Sequence, residues 1–260
     1  MKELIAVEEK RFTDKVVLVT GTTSGIGRTT AAAFAREGAR VVTAARREKL
    51  GESLVEEITE AGGDACFIKT DIRNPDDVDS LFNQIFERYD RLDIAFNNGG
   101  VSHPHIPTVA KTTVEEWDEV IETNARGTWL CMKHEINRML KQGGGIIVNT
   151  SSILGFTADY GLSHYCASKH AILALTRTAA LEYAPKNIRI NAVCPGPIQT
   201  EILERAAKYI PNMYDMVIAN TAMKRIGDTD EISGIVLWLC SDEASYMIGK
   251  EISVDGGQSI

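Results

Sequence analysis

The sequence predicts one α/β domain built on a doubly wound, seven-stranded parallel sheet with helices on both faces. Two observations carry this prediction. Short apolar runs rich in β-branched residues alternate along the chain with stretches of helical periodicity, which is typical of β-α-β units. The 260 residues, 44% of them hydrophobic, suffice for one large core, and no Pro/Ser-rich linker or internal repeat divides them.

The predicted strands are short and apolar, as expected for strands buried on both faces of a parallel sheet. They cover residues 15–20, 39–45, 66–70, 92–97, 145–150, 187–194 and 250–254. The predicted helices between them cover residues 25–37, 47–61, 75–90, 114–141, 163–184 and 229–241. Residues 200–225 follow a Pro-Gly-Pro turn, break this alternation and are predicted to form a short helical insertion.

We assign residues 1–11 to an N-terminal extension and 12–260 to the domain.

The composition of the chain disfavours several kinds of partner, location and bound group. The net charge of −8 disfavours nucleic acid and anionic membranes as partners. The chain has no apolar run of about 18 residues and no signal-peptide pattern, so a cytoplasmic location is expected. The cysteines are odd in number and scattered, which favours reduced thiols over disulfides or zinc: Cys66, Cys131, Cys166, Cys194 and Cys240.

A glycine-rich turn follows the first predicted strand. Gly21, Gly25 and Gly27 are spaced G-x3-G-x-G and lead into a predicted helix. Glycines let the backbone approach a pyrophosphate closely, and the N-terminus of the helix attracts the anion. With the intervening Thr23, Ser24 and Ile26, this turn predicts a nucleotide site in a Rossmann-type domain.

The end of the second predicted strand bears on the choice of dinucleotide. Enzymes that use NAD tend to place an acidic residue here, whereas those that use NADP tend to place Arg nearby. This chain has Ala44 and Ala45 followed by Arg46 and Arg47. Guanidinium groups suit a phosphate, so NADP(H) is favoured over NAD(H), although a solvated basic helix start is the alternative.

Tyr165 and Lys169, in the stretch YCASK, lie four residues apart in a predicted helix. This spacing places them on one face, one turn apart. A pair of this kind can be a proton-transfer pair or part of an ordinary amphipathic helix, and the five residues alone do not decide between them.

Five motifs together resemble the short-chain dehydrogenase/reductase family, in its branch of about 250 residues. They are the glycine turn, NNGG at 97–100, NTSS at 149–152, YCASK at 165–169 and PGPIQT at 195–200. The resemblance runs from about Phe12 to Gly257. The family usually has Ala where this chain has Gly99; the change removes a methyl but no reactive group.

The resemblance implies four catalytic residues. Tyr165 is implied as general acid/base, Lys169 as its activator and Ser152 as the hydroxyl that binds the substrate oxygen, with Ser151 as the alternative. Asn124 is implied to hold a water in a proton relay to Lys169. Further residues are implied to contact the cofactor: Asp71 and Ile72 at the adenine, Asn97 and Gly99 along the cleft, and Pro195, Gly196, Ile198 and Thr200 at the nicotinamide; Lys169 also holds the ribose.

The charge of Lys169 is large enough to activate Tyr165. Catalysis near neutral pH needs the phenol pKa to fall by about 3 units, or roughly 4 kcal/mol. One charge at about 4 Å in an effective dielectric of 20 supplies about that much. We therefore expect a lowered Tyr165 pKa.

The expected function is hydride transfer between a nicotinamide cofactor and a ketone or secondary alcohol. The alternatives are a nucleotide-binding regulatory module without turnover and an NAD-dependent alcohol dehydrogenase of the same family. Dehalogenating relatives lack the glycine motif and the Lys, and enoyl reductases space Tyr and Lys by seven residues, so both classes are disfavoured. His103 and His105 lack a third ligand at metal-binding spacing, so no metal is expected.

Two expectations concern surfaces. The resemblance implies a homotetramer in which helices within 75–90 and 114–141 form an interface. Residues 203–218 carry aromatic and methionine side chains that predict either a lid over a moderately apolar substrate or a packing surface.

Overall fold

The computed structural model describes residues 10–103 and 106–260, and within them seven strands form one sheet. The strand order is β3-β2-β1-β4-β5-β6-β7, and every neighbouring pair is parallel. The bounds are β1 Val16–Thr20, β2 Arg40–Ala45, β3 Asp64–Lys69, β4 Ile94–Asn97, β5 Gly145–Thr150, β6 Ile188–Pro195 and β7 Glu251–Val254. The predicted fold class is confirmed. Most of the predicted extension lies outside the described residues.

Helices connect the strands and cover both faces of the sheet. In the described residues they are α1 Gly25–Arg36, α2 Glu48–Glu60, α3 Pro75–Tyr89, α4 Val114–Val120, α5 Gly127–Gln142, α6 Ser163–Tyr183, α7 Glu201–Ala207, α8 Met213–Asn220 and α9 Thr229–Cys240. The insertion predicted at 200–225 is α7 and α8. No helix in the described part is long and apolar enough to cross a membrane.

Alternation along the strands divides the core into two layers. Val17 and Val19 of β1 pack with α1, α2 and α9 on one face. Val16 and Leu18 pack with α3, α5 and α6 on the other. Because successive strand residues point to opposite faces, a strand between two helical layers is apolar at most of its positions. All five residues of β1 are buried.

The helix predicted over 114–141 is not continuous. A π-helical turn at Ile121–Arg126 separates α4 from α5. Such wide turns insert extra backbone into a helix and often occur at functional sites. Asn124, one of the implied catalytic residues, lies in this turn.

The sheet order reverses direction at β1, which has β2 on one side and β4 on the other. The helices that follow these two strands pack on opposite faces of the sheet, α1 on one and α5 on the other, and a crevice lies at the carboxyl edge between them. Ligands of open α/β sheets bind at this kind of crevice.

Candidate active site

A cavity of about 470 Å³ occupies the crevice. Most of the predicted site residues line it, although they come from segments far apart in the chain. Those that do are Gly21, Thr23, Ser24, Gly25, Ile26, Arg46, Arg47, Asp71, Ile72, Gly99, Ser152, Tyr165, Lys169, Pro195, Gly196, Ile198 and Thr200.

The glycine turn forms the phosphate end of this cavity. Gly21 and Gly25 have φ of +71° and +56°, a region that other residues rarely adopt. A Cβ on Gly21 would lie 2.7 Å from Gly99 Cα, so the turns after β1 and β4 approach too closely for a side chain. The backbone of the turn and the start of α1 are thereby open to an anion. These features fit a dinucleotide pyrophosphate.

Gly27 has a different role from the other glycines. It does not line the cavity, and a Cβ there would overlap the carbonyl oxygen of Gly21 and the side chain of Asn98. Gly27 allows α1 to pack against the preceding turn, and its predicted contact with the cofactor stays a prediction.

Arg46, Arg47 and Asp71 lie where an adenosine is expected. Asp71 forms a 2.6 Å ion pair with Arg73, and this hydrogen-bonded partner, helped by the charge of Arg46, lowers the pKa of Asp71. Arg47 donates hydrogen bonds to Thr23 and Ser24 and pairs with Glu201. Two guanidinium groups thus line this end of the cavity.

Asn97 does not line the cleft, contrary to the sequence prediction. Its Nδ2 donates to Glu135 Oε2 and to Asn149 Oδ1, both at 3.0 Å, inside the protein. The cavity is lined by Asn98, whose Nδ2 donates to the carbonyl oxygens of Thr20 and Gly21. Because neighbouring strand residues face opposite ways, only one of the two asparagines can reach the cleft.

Glu135 of α5 is a fully buried carboxyl that the sequence analysis missed. Its contacts lie beneath the ends of β4 and β5, where Asn149 also donates to Thr176 Oγ1 at 2.9 Å. Burial raises the pKa of Glu135 to about 8, although the hydrogen bond from Asn97 opposes this. The carboxyl is therefore mostly protonated at neutral pH.

Tyr165 and Lys169 lie together in the cavity beside the end of β5, and we call this part of the cavity the catalytic end. Both come from the first two turns of α6, and Lys169 Nζ lies 5.5 Å from the Tyr165 ring centroid. Lys169 is buried and donates a 2.9 Å hydrogen bond to the carbonyl oxygen of Thr150, the last residue of β5. The end of a strand thus fixes the ammonium beside the phenol.

The pKa of Tyr165 shifts in the direction opposite to our expectation. Burial raises it to about 12, while a hydrogen bond with Ser152 lowers it. Burial also lowers the pKa of Lys169 to about 8. Burial removes water from both groups, and this desolvation, which the attraction between phenolate and ammonium does not include, is the largest influence on each pKa.

The two adjacent serines have different partners. Ser152 Oγ donates to the carbonyl oxygen of Pro195 at 3.5 Å and accepts from the backbone of Leu154 at 3.1 Å, and it is close enough to Tyr165 to lower the pKa of the phenol. Ser151 Oγ donates to the carbonyl oxygen of Lys169 at 2.9 Å. Ser152 therefore has the geometry expected of a substrate-binding hydroxyl, while Ser151 supports α6.

Asn124 is fully buried and lies behind the cavity wall. Its Oδ1 accepts from Val101 N, and its Nδ2 donates to Val101 O and Ser168 Oγ. A Cβ on Gly100 would lie 3.2 Å from Asn124 Oδ1 and 3.6 Å from Lys169 Nζ. The amide and the ammonium thus both lie close to Gly100, and the relay role of Asn124 stays a prediction.

The loop after β6 and helices α7 and α8 form the remaining wall. Leu203, Ile210, Met213 and Val217 line the cavity, whereas Tyr209 and Met216 are exposed. One face of the insertion therefore covers the cavity with apolar groups.

The described residues contain no cluster of three or more potential metal ligands. His103 lines the cavity, with its ring 5.4 Å from that of His164, while His105 lies outside the described residues. All five cysteines are free, and four of them are buried. Burial raises the pKa of Cys131, Cys194 and Cys240 well above the usual thiol value.

Known proteins resemble this chain along nearly its whole length. A protein-family model described as enoyl-(acyl carrier protein) reductase matches residues 21–259. The 3beta-hydroxysteroid dehydrogenase of Mediterraneibacter gnavus is 36% identical over 95% of both chains. The cyclopentanol dehydrogenase of a Comamonas species is 39% identical over 95% of this chain and 98% of its own.

The fold of the chain also matches that of a solved structure. The crystal structure of levodione reductase superposes with a TM-score of 0.92 at 35% identity, and the match covers 96% of this chain and 99% of that chain. The chain therefore belongs to the short-chain dehydrogenase/reductase family and is an oxidoreductase that uses a nicotinamide cofactor on CH–OH or C=O groups. The prediction of an enzyme is confirmed.

Proposed function

We propose that this protein transfers a hydride between NADP(H) and a ketone or secondary alcohol, with Tyr165 as general acid/base. The supporting observation is one cavity with a glycine turn and two arginines at one end and Ser152, Tyr165 and Lys169 at the other. A bound nicotinamide supplies or accepts the hydride. The residues of the chain hold the substrate oxygen and move its proton.

In the reduction direction, negative charge grows on the carbonyl oxygen. The hydroxyls of Ser152 and Tyr165 stabilise this charge, and Tyr165 donates its proton to the oxygen. The raised Tyr165 pKa keeps the phenol protonated, as a donor must be, and the lower pKa that oxidation needs would require the positive charge of a bound oxidised nicotinamide. Lys169, with a pKa of about 8, then stabilises the phenolate that remains. Oxidation of an alcohol uses the same residues in reverse.

The preference for NADP(H) rests on Arg46 and Arg47 in the cavity wall after Ala44 and Ala45. Guanidinium groups bind a phosphate through directed hydrogen bonds. One observation favours the second candidate, an NAD-dependent enzyme: Arg47 is already paired with Glu201.

A fluorescence titration with NADPH and NADH tests the cofactor proposal. We expect NADPH to bind at least about tenfold more tightly, equivalent to about 1.4 kcal/mol. Arg46→Ala should narrow this difference, whereas Lys49→Ala, an exposed cation on α2, should not. Preference for NADH would contradict the NADP assignment alone, and binding of neither nucleotide would contradict the whole proposal.

The substrate is proposed to be moderately apolar, because α7, α8 and the turn between them line the cavity with Leu203, Met213 and Ile210. This supports the lid interpretation of 203–218. Unchanged KM values for Met213→Ala on every accepted substrate would count against it.

The homotetramer and the cytoplasmic location stay predictions. The homotetramer is supported by large apolar side chains exposed on α4 and α5, namely Trp117, Trp129 and Leu140.

A further inference from the structure

Glu201 holds Arg47 from across the phosphate end of the cavity. Arg47 Nη1 lies 3.1 Å from Glu201 Oε1 and 3.0 Å from Oε2. Ser24 Oγ donates to the same carboxylate at 3.0 Å. Arg47 also donates to Thr23 Oγ1 at 2.9 Å and to Ser24 Oγ at 3.0 Å. The guanidinium is thus fixed in place, and its charge is already matched by one carboxylate.

The position of Glu201 in the fold explains how it reaches Arg47. Glu201 is the first residue of α7, and Ser24 is the residue immediately before α1. The Cγ2 of Thr200 would lie 3.1 Å from a Cβ on Gly25, so α7 begins directly against the glycine turn. A carboxylate is favoured beside the N-terminus of a helix such as α1. Glu201 is therefore held within hydrogen-bonding distance of both Ser24 and Arg47.

We propose that Glu201 is a specificity-determining residue, which weakens binding of a 2′-phosphorylated adenosine by competing with that phosphate for Arg47. The inference rests on the proposed function, because it assumes that the cavity binds a nicotinamide dinucleotide. An incoming 2′-phosphate must displace the carboxylate or lie next to it. A 2′-hydroxyl carries no charge and meets much less opposition.

The expected effect is moderate because the pair is partly solvated. The side chains of Arg47 and Glu201 are 46% and 41% exposed. Exposed ion pairs contribute about 0.2–1 kcal/mol, which corresponds to an affinity change of up to about fivefold. The effect should shrink with added salt, since salt screens exposed charges.

Two nucleotides without nicotinamide measure this competition by titration calorimetry: adenosine 2′,5′-bisphosphate and adenosine 5′-monophosphate. Glu201→Gln should raise affinity for the bisphosphate by about threefold to fivefold, and affinity for the monophosphate by clearly less. The matched control is Glu204→Gln, which removes the same charge one turn further along α7. Glu204 accepts from Gln199 Nε2 and does not line the cavity. It should leave the ratio of the two affinities unchanged.

A second variant, Glu201→Asp, gives an independent test if the Glu201→Gln protein does not fold. Glu201→Asp keeps the charge but shortens its reach to Arg47, so the affinity ratio should fall between those of wild type and Glu201→Gln. An unchanged ratio in both Glu201 variants, or the same change in Glu204→Gln, would overturn the inference while leaving the proposed function intact. If the wild-type protein bound neither nucleotide, the proposed function would fall, and this inference with it.

Discussion

The two ends of the cavity are built from different kinds of polar group. At the phosphate end, Arg47 and Glu201 are about half exposed and neutralise each other. At the catalytic end, Lys169 is buried, and buried Glu135 lies beneath the neighbouring strand ends. Water screens charge at the first end, whereas burial determines ionisation at the second. Substitutions should therefore have small, salt-dependent effects at one end and large, pH-dependent effects at the other.

The largest expected effect is at Tyr165. Tyr165→Phe removes the proposed proton donor while keeping the ring, so kcat should fall by about 10²–10⁴-fold. Cofactor affinity should change little. Initial rates over a panel of ketones and secondary alcohols measure the loss. Tyr160→Phe, at an exposed position outside the cavity, is the control and should retain full activity.

A Tyr165→Phe protein that kept more than about a tenth of the wild-type kcat would remove Tyr165 from the mechanism. The contrast between the two ends would then hold for stability but not for catalysis.

Glu135→Gln tests whether burial controls ionisation beneath the catalytic end. The pKa of Glu135 is about 8 in the folded protein and 4.5 for an unperturbed group. Between these values the folded state binds a proton that the unfolded state does not. The free energy of unfolding should therefore fall as pH rises from about 4.5 to about 8, by up to about 1.4 kcal/mol per pH unit from this group.

Glutamine cannot ionise, so Glu135→Gln should remove the contribution of this carboxyl to the fall of the unfolding free energy with pH. Denaturant unfolding at a series of pH values measures it. Glu182→Gln, on the exposed surface of α6, should leave the slope as in wild type. Parallel slopes in wild type and Glu135→Gln would show that the buried carboxyl is ionised throughout the range.

Gly27→Ala should be an exception to this contrast between the two ends. It should lower the stability of the protein at the phosphate end although it changes no charge. The added Cβ would overlap the carbonyl oxygen of Gly21. Relieving this overlap should reduce the free energy of unfolding by about 1–3 kcal/mol. Gly234→Ala in α9 is the control, because a Cβ there meets nothing within 4 Å. It should stabilise the protein by about 0.5–1 kcal/mol. Equal effects in the two variants would contradict the packing role of Gly27.

The sequence predicted the features that depend on local pattern. The apolar runs located the strands, and the spacing of Gly21, Gly25 and Gly27 located the turn at the crevice. The four-residue spacing placed Tyr165 and Lys169 together on α6, as the structure has them. These features follow from backbone geometry and periodicity, which neighbouring residues determine.

The features that sequence reasoning missed depend on contacts between distant segments. Glu201 pairs with Arg47 across 154 positions. Glu135 reaches Asn97 only because α5 packs beneath β4. The direction of the Tyr165 pKa depends on burial, which a spacing does not reveal. The signal for Asn98 was present in the NNGG motif, but the strand register decides which asparagine faces the cleft.

The free thiols give each helical layer its own reporter of opening. Cys131 lies in the layer of α3, α5 and α6, and Cys240 in that of α1, α2 and α9. Burial keeps both thiols protonated and therefore unreactive in the closed protein. A thiol reagent can label them only when their layer opens. The relative labelling rates of these two cysteines would show whether the two layers of helices unfold in one cooperative step or one layer unfolds first.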